Sequence, residues 1–102
     1  MINEQVRYQK VRQFLETEKA RLSSMGIRRV GIFGSVLRGE DRPDSDLDIL
    51  IDLDNDSSLT LFGLIDLEQE YSERLGQKVD LVIKDDLKPL IGQRVLDEVQ
   101  YV

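Results

Sequence analysis

The stretch "GSVLRGEDRPDSDLDILIDL", residues 34–53, joins a glycine-serine turn to an apolar strand that begins at two aspartates. Because side chains alternate along a strand, Asp46 and Asp48 project from one face and Leu47 and Ile49 from the other. Two such carboxylates repel each other unless cations lie between them, and Mg²⁺ prefers oxygen ligands of this kind. Taken alone, the pair is more typical of a solvated acidic strand end than of a metal site. The neighbouring motifs decide between these two interpretations.

The turn before this strand has the composition of a phosphate-binding site. Gly34 and Ser35 follow the apolar segment "RRVGIF", residues 28–33, and begin a short helix, where free backbone N–H groups bind phosphate oxygens. The Ser35 hydroxyl adds a donor, although a serine at this place also serves as an ordinary helix cap. A Walker loop is excluded, because its Lys and Ser/Thr positions hold Glu40 and Asp41.

A third carboxylate, Asp80, lies inside the apolar segment "KVDLVI", residues 78–83, where an unpaired charge is unfavourable. If this segment is a strand beside the one that carries Asp46 and Asp48, the three carboxylates face one another and form a single site. The alternative is an ion pair between Asp80 and Lys78 or an arginine.

The composition restricts the chemistry to carboxylates, hydroxyls, Lys, Arg and hard metals. With no cysteine and no histidine, the chain of 102 residues excludes thiolate nucleophiles, thiolate or imidazole zinc sites and catalytic triads. A formal charge of −6 disfavours unaided binding of a nucleic-acid backbone and favours a basic partner. We expect one domain over residues 1–102 and, since no apolar segment could span a bilayer, a soluble cytoplasmic protein.

Helical and strand patterns alternate along the chain. The apolar spacing predicts helices over about 3–24, 35–38 and 58–75, and a last helix that begins near Pro89 and carries Val99. Strands are predicted over 28–33, 45–53 and 78–83, with a turn at "DRPD", residues 41–44. The predicted order is therefore helix, strand, short helix, strand, helix, strand, helix.

These motifs together resemble the nucleotidyltransferase superfamily that includes DNA polymerase beta, whose signature is a Gly-Ser turn, a following Asp-x-Asp and a later Asp. The matching residues are Gly34, Ser35, Asp46, Asp48 and Asp80. The pattern is also similar to that of the minimal nucleotidyltransferase antitoxins (MntA-like), through Arg38, Gly39 and Ser45. The resemblance covers nearly the whole chain and implies the α+β nucleotidyltransferase fold, a small mixed three-stranded sheet flanked by about four helices.

The resemblance implies an Mg²⁺-dependent enzyme that releases pyrophosphate from ATP. Asp46 and Asp48 would bridge two Mg²⁺ ions, while Asp80 would complete the shell of the second ion and accept the proton of the attacking hydroxyl. These three aspartates are thus the expected catalytic residues and metal ligands.

The same resemblance assigns phosphate contacts to the turn. Gly34 and Ser35 would hold the β- and γ-phosphates. Arg38 would either neutralise the charge of the leaving group or brace the loop by pairing with an acidic neighbour. Arg42 is a weaker candidate for a phosphate contact and is more typical of a solvent-facing turn.

The implied partner is a HEPN-domain toxin, an RNase, to whose tyrosine the antitoxin transfers AMP within a hetero-oligomer, without binding nucleic acid itself. Larger relatives append domains that recognise their substrates, so recognition here would come partly from the partner. Two alternatives stay open: an antitoxin that binds nucleotide and acts by occlusion without catalysis, and a transferase acting on a small molecule such as an aminoglycoside.

Overall fold

Four helices and four strands alternate through residues 3–40, 42 and 45–102, which are the residues described by the computed structural model of the protein. The helices are α1 Asn3–Ser24, α2 Ser35–Arg38, α3 Leu61–Leu75 and α4 Pro89–Glu98. The strands are β1 Ile27–Phe33, β2 Leu47–Leu53, β3 Val79–Ile83 and β4 Gln100–Tyr101. A single 3₁₀ turn, Lys84–Asp86, follows β3. The predicted turn over residues 41–44 lies, except for Arg42, outside the described residues.

The strands form one mixed sheet in the order β3-β2-β1-β4, which confirms the predicted α+β class. Strands β2 and β3 are parallel, whereas β1 is antiparallel to both of its neighbours. The described residues give the sheet four strands rather than the three that were predicted. The additional strand, β4, pairs only with Gly31 and Ile32, and two residues are too few for a recognisable alternation. Helix α4 ends at Glu98, so Val99, predicted inside the helix, instead leads into β4.

Helix α3 and strand β2 each begin later than predicted. Helix α3 begins at Leu61 rather than near residue 58, because the Thr60 hydroxyl accepts a hydrogen bond from the Gly63 N–H at 3.1 Å and caps the helix. Strand β2 begins at Leu47, so Asp46 lies immediately before the strand instead of within it.

The two faces of the sheet differ in chemistry, and this difference positions the site. One face carries Leu47, Ile49 and Ile51, which are buried in a core with residues of α1 and α3 such as Leu15 and Tyr71. Alternation along β2 directs the intervening side chains, including that of Asp48, to the opposite face. The acidic residues therefore project away from the core that holds the fold together.

Among the described helices, none is both long enough and apolar enough to cross a membrane.

Candidate active site

The predicted aspartates meet at the edge of the sheet where β2 and β3 begin. In the parallel pairing of these strands, Asp48 lies directly beside Asp80, and Asp46 comes two residues before Asp48. Burial first, and then the negative charges of Asp80 and Asp46, together raise the pKa of Asp48 from 3.8 to about 6. Asp80 and Asp46 are thus close enough for their charges to disfavour the ionised form of Asp48, and Asp80 lies on the strand beside it as the sequence analysis expected.

The donor chemistry of this cluster suits Mg²⁺, although the described residues contain no group of three or more acidic, His or Cys side chains already placed to hold a metal ion. A cation between the carboxylates would relieve the repulsion that raises the pKa of Asp48. The assignment of Asp46, Asp48 and Asp80 as metal ligands therefore stays a prediction, supported by donor type and by mutual repulsion.

Lys78 lies against Asp46, with Nζ 3.8 Å from Oδ2, rather than serving as the partner that was considered for Asp80. Both side chains are exposed, at 77% and 45%, so the ion pair is weak and a competing cation can displace it.

The Gly34 turn packs directly against the acidic cluster. Its backbone has a φ of 80°, and a Cβ added at this residue would collide with Oδ2 of Asp48. Only glycine satisfies both the positive φ and the close approach. Gly34 also occupies the N-cap position of α2, without any side-chain cap, and Ser35 is the first helical residue. The alternative that Ser35 acts as the helix cap is therefore wrong, since Gly34 holds that position and no side chain caps the helix.

The turn also binds a carboxylate that the sequence analysis missed. The Gly34 N–H donates to Oε2 of Glu98 at 2.9 Å, and Arg38 Nη1 donates to Oε1 and Oε2 of Glu98 at 2.9 and 3.1 Å. Arg38 Nε donates to Glu40 at 2.9 Å, so the arginine braces the loop through acidic neighbours. The sequence carried no local signal for these contacts, because the last helix was predicted to include Val99; in the structure Glu98 is the last residue of α4, where the helix dipole disfavours a negative charge and the contacts with Arg38 and Gly34 compensate for it.

Ser45 and Arg42 close the turn that leads to Asp46. The backbone N–H of Arg42 donates to the Ser45 hydroxyl at 2.7 Å, and the Ser45 N–H donates back to the Arg42 carbonyl at 2.9 Å. The Gln77 amide donates to the Ser45 carbonyl at 2.8 Å and ties this turn to the segment before β3. Arg42 is exposed, and the contacts of its backbone are those of a turn residue, as the sequence suggested.

This fold and this set of residues agree with the resemblance to nucleotidyltransferases. The family model described as a nucleotidyltransferase domain matches residues 9–102, and the chain belongs to this family. Membership supports transferase activity, with a nucleotide as the substrate.

Three known proteins define the similarity more closely. The chain is 49% identical over 77 residues to the protein adenylyltransferase MntA of Thermococcus cleftensis, with 76% of each chain covered. Its fold matches a solved structure described as a candidate minimal nucleotidyltransferase, with a TM-score of 0.75, 35% identity, and 90% of this chain and 92% of that chain covered. A toxin-antitoxin structure with AMP-PNP matches with a TM-score of 0.67 at 23% identity, over 78% of this chain and 64% of that chain, and this match concerns the fold alone.

Proposed function

We propose that the protein transfers AMP from ATP to a tyrosine hydroxyl of a HEPN-type toxin and thereby acts as its antitoxin. The observation that carries the proposal is the close approach of Asp48, which has Asp80 and Asp46 as neighbours, to the Gly34 turn, because AMP transfer needs carboxylates beside a triphosphate site. Similarity to a protein adenylyltransferase supports a protein acceptor, and a toxin-antitoxin structure that contains AMP-PNP shares the fold.

Each residue of the site has a part in the proposed reaction. The hydroxyl oxygen of the acceptor forms a bond to the α-phosphorus, the bond between that phosphorus and the β-bridging oxygen breaks, and pyrophosphate leaves. Ser35 and the backbone of Gly34 donate hydrogen bonds to the β- and γ-phosphates. Arg38 neutralises the charge of the leaving pyrophosphate, and Asp80, exposed at the edge of the sheet, accepts the proton of the acceptor hydroxyl.

Asp46, Asp48 and Asp80 would hold two Mg²⁺ ions. When bound, these ions would neutralise the triphosphate and lower the pKa of the attacking hydroxyl. A tyrosine hydroxyl has an ordinary pKa of about 10, so its activation is a substantial part of the catalytic task.

The charge of the chain supports a basic protein partner rather than direct contact with nucleic acid. At −6 the chain repels a nucleic-acid backbone and attracts a surface that binds RNA phosphates, such as that of an RNase. AMP on a tyrosine near such a surface adds negative charge and bulk, and both oppose the binding of RNA. We propose that the chain forms a hetero-oligomer with this partner and that residues 1–102 form one minimal transferase domain. Since the AMP donor is ATP, we also propose that the protein acts in the cytoplasm.

The test is co-expression of the chain with the product of the neighbouring gene, followed by intact-mass measurement and peptide mapping of that product. We expect a mass increase of one or more AMP units on a tyrosine. In the Asp46→Asn variant, in vitro transfer should fall by at least roughly 10²- to 10³-fold, because a charged ligand is lost.

Asp66→Asn is the matched control. Asp66 is an exposed residue of α3, so the substitution also removes one negative charge but does so outside the candidate active site. Neutralisation of the toxin by both variants, with no mass change in any sample, would favour occlusion without catalysis. Efficient AMP transfer to an aminoglycoside, with none to the protein, would instead support the small-molecule alternative.

A further inference from the structure

The carboxylate of Glu98 occupies the groups that the proposed reaction assigns to phosphate. Oε2 accepts the Gly34 N–H at 2.9 Å, and both oxygens accept from Nη1 of Arg38 at 2.9 and 3.1 Å. A carboxylate and a phosphate use the same kind of donor, and Arg38 binds either anion well. The Gly34 N–H cannot donate fully to Glu98 and to a phosphate oxygen at the same time.

The position of Glu98 is fixed by the segment that follows it. Val99 packs against Gly31 so closely that a Cβ added at Gly31 would lie 2.6 Å from Cγ2 of Val99. Strand β4 then pairs with β1, and the Val102 N–H donates to the Val30 carbonyl at 2.8 Å. Because β1 leads directly into Gly34, this pairing holds the end of α4 against the turn. Glu98 is only 28% exposed as a result.

We propose that Glu98 competes with the triphosphate of the nucleotide for Arg38 and the Gly34 N–H, and so sets the affinity of the site for ATP. The inference rests on the proposed nucleotidyl transfer and identifies a residue that determines its substrate affinity. Nucleotide binds with its full affinity only when Glu98 has left these donors, so the apparent dissociation constant equals the intrinsic one divided by the fraction of molecules in which the donors are free of Glu98. Glu98 also adds a negative charge that repels ATP.

The test measures binding of Mg²⁺-AMP-PNP by calorimetry to the wild type, Glu98→Gln and Glu98→Ala. We expect both variants to bind about 10-fold more tightly, which corresponds to occupation of the donors by Glu98 in roughly nine molecules of ten. Asp97→Asn is the matched control, since Asp97 is exposed on the same helix and accepts a hydrogen bond from Gln93 Nε2 at 2.8 Å, away from the turn. We expect the control to change the affinity less than about 2-fold.

A second experiment distinguishes competition between Glu98 and ATP from a purely structural role in which Glu98 stabilises the Gly34 turn. In steady-state assays of AMP transfer, competition predicts that Glu98→Gln lowers KM for ATP without lowering kcat. Combining Glu98→Gln with Arg38→Gln should remove most of the gain in nucleotide affinity, because that gain comes from Arg38 once it no longer binds Glu98. Melting curves of each variant show whether the fold is intact.

Unchanged or weaker binding in folded Glu98→Gln and Glu98→Ala, with the wild type binding nucleotide, would overturn the inference and leave the proposed AMP transfer standing. Absence of nucleotide binding by the wild type and by both Glu98 variants at millimolar concentration would overturn the proposed function, and the inference with it. Nucleotide binding by the Glu98 variants but not by the wild type would support the inference most strongly.

Discussion

Asp48→Asn should stabilise the metal-free protein at neutral pH and change its stability little at pH 4. Burial and the charges of Asp80 and Asp46 raise the pKa of Asp48 from 3.8 to about 6 in the folded chain. Between these two values the folded chain keeps a proton that the unfolded chain has released. The contribution of Asp48 to stability therefore falls as the pH rises from about 4 to about 6, and the amide variant lacks this loss.

The magnitude follows from the size of the pKa shift. A rise of about two pKa units corresponds to about 3 kcal/mol, at roughly 1.4 kcal/mol per unit. Asp48 is only partly buried, so water screens part of this penalty, and we expect the free energy of unfolding to increase by about 1–2 kcal/mol at pH 7.5. An ordinary surface substitution changes stability by less than about 0.5 kcal/mol, so the effect is measurable.

The assay is urea denaturation of the wild type and Asp48→Asn in EDTA at pH 4, 5, 6 and 7.5, with Asp66→Asn as the control. The difference in unfolding free energy between variant and wild type should grow across this range and stay near zero for the control. Added Mg²⁺ at pH 7.5 should stabilise the wild type more than Asp48→Asn, because the cation relieves the same repulsion. A difference that is absent at pH 7.5, or equally large at pH 4, would refute the reasoning.

Two further substitutions separate the roles of the turn residues. Gly34→Ala should destabilise the fold by about 1–3 kcal/mol in urea denaturation, because it places a Cβ against Asp48 at a φ of 80°; stability equal to the wild type would contradict that geometry. Ser35→Ala should change stability by less than about 0.5 kcal/mol, since Gly34 holds the N-cap position, and should raise KM for ATP or lower kcat. A loss of about 1 kcal/mol with unchanged kinetics would return Ser35 to a capping role.

The sequence was sufficient to predict the elements that carry the acidic cluster. The alternation of aspartates with Leu47 and Ile49 determined which face of β2 is acidic, because burying the apolar residues leaves the other face to the carboxylates. The position of Asp80 in an apolar segment then indicated a neighbouring strand, and the observed pairing of Asp48 with Asp80 agrees with it.

The contacts of the turn could not be predicted because they depend on distant parts of the chain. Glu98 reaches Gly34 across 64 residues, through the packing of α4 and the pairing of a two-residue strand whose sequence has no alternation to detect. The role of Ser35 also depends on backbone geometry, since the positive φ of Gly34 decides which residue becomes the N-cap. Local sequence patterns therefore identified the candidate site, whereas tertiary contacts determine that two of its hydrogen-bond donors, the Gly34 N–H and Arg38, bind Glu98.

The most direct test of the central claim is label transfer with ATP labelled at either the α- or the γ-phosphate. The purified chain is incubated with Mg²⁺ and the purified product of the neighbouring gene, which is the proposed toxin, and radioactivity on that protein is measured after denaturation. AMP transfer predicts that the α-label appears on the toxin while the γ-label is released as pyrophosphate, and that Asp46→Asn abolishes the signal. Transfer of the γ-label, or no α-label on the toxin under conditions in which the wild type binds nucleotide, would contradict the account.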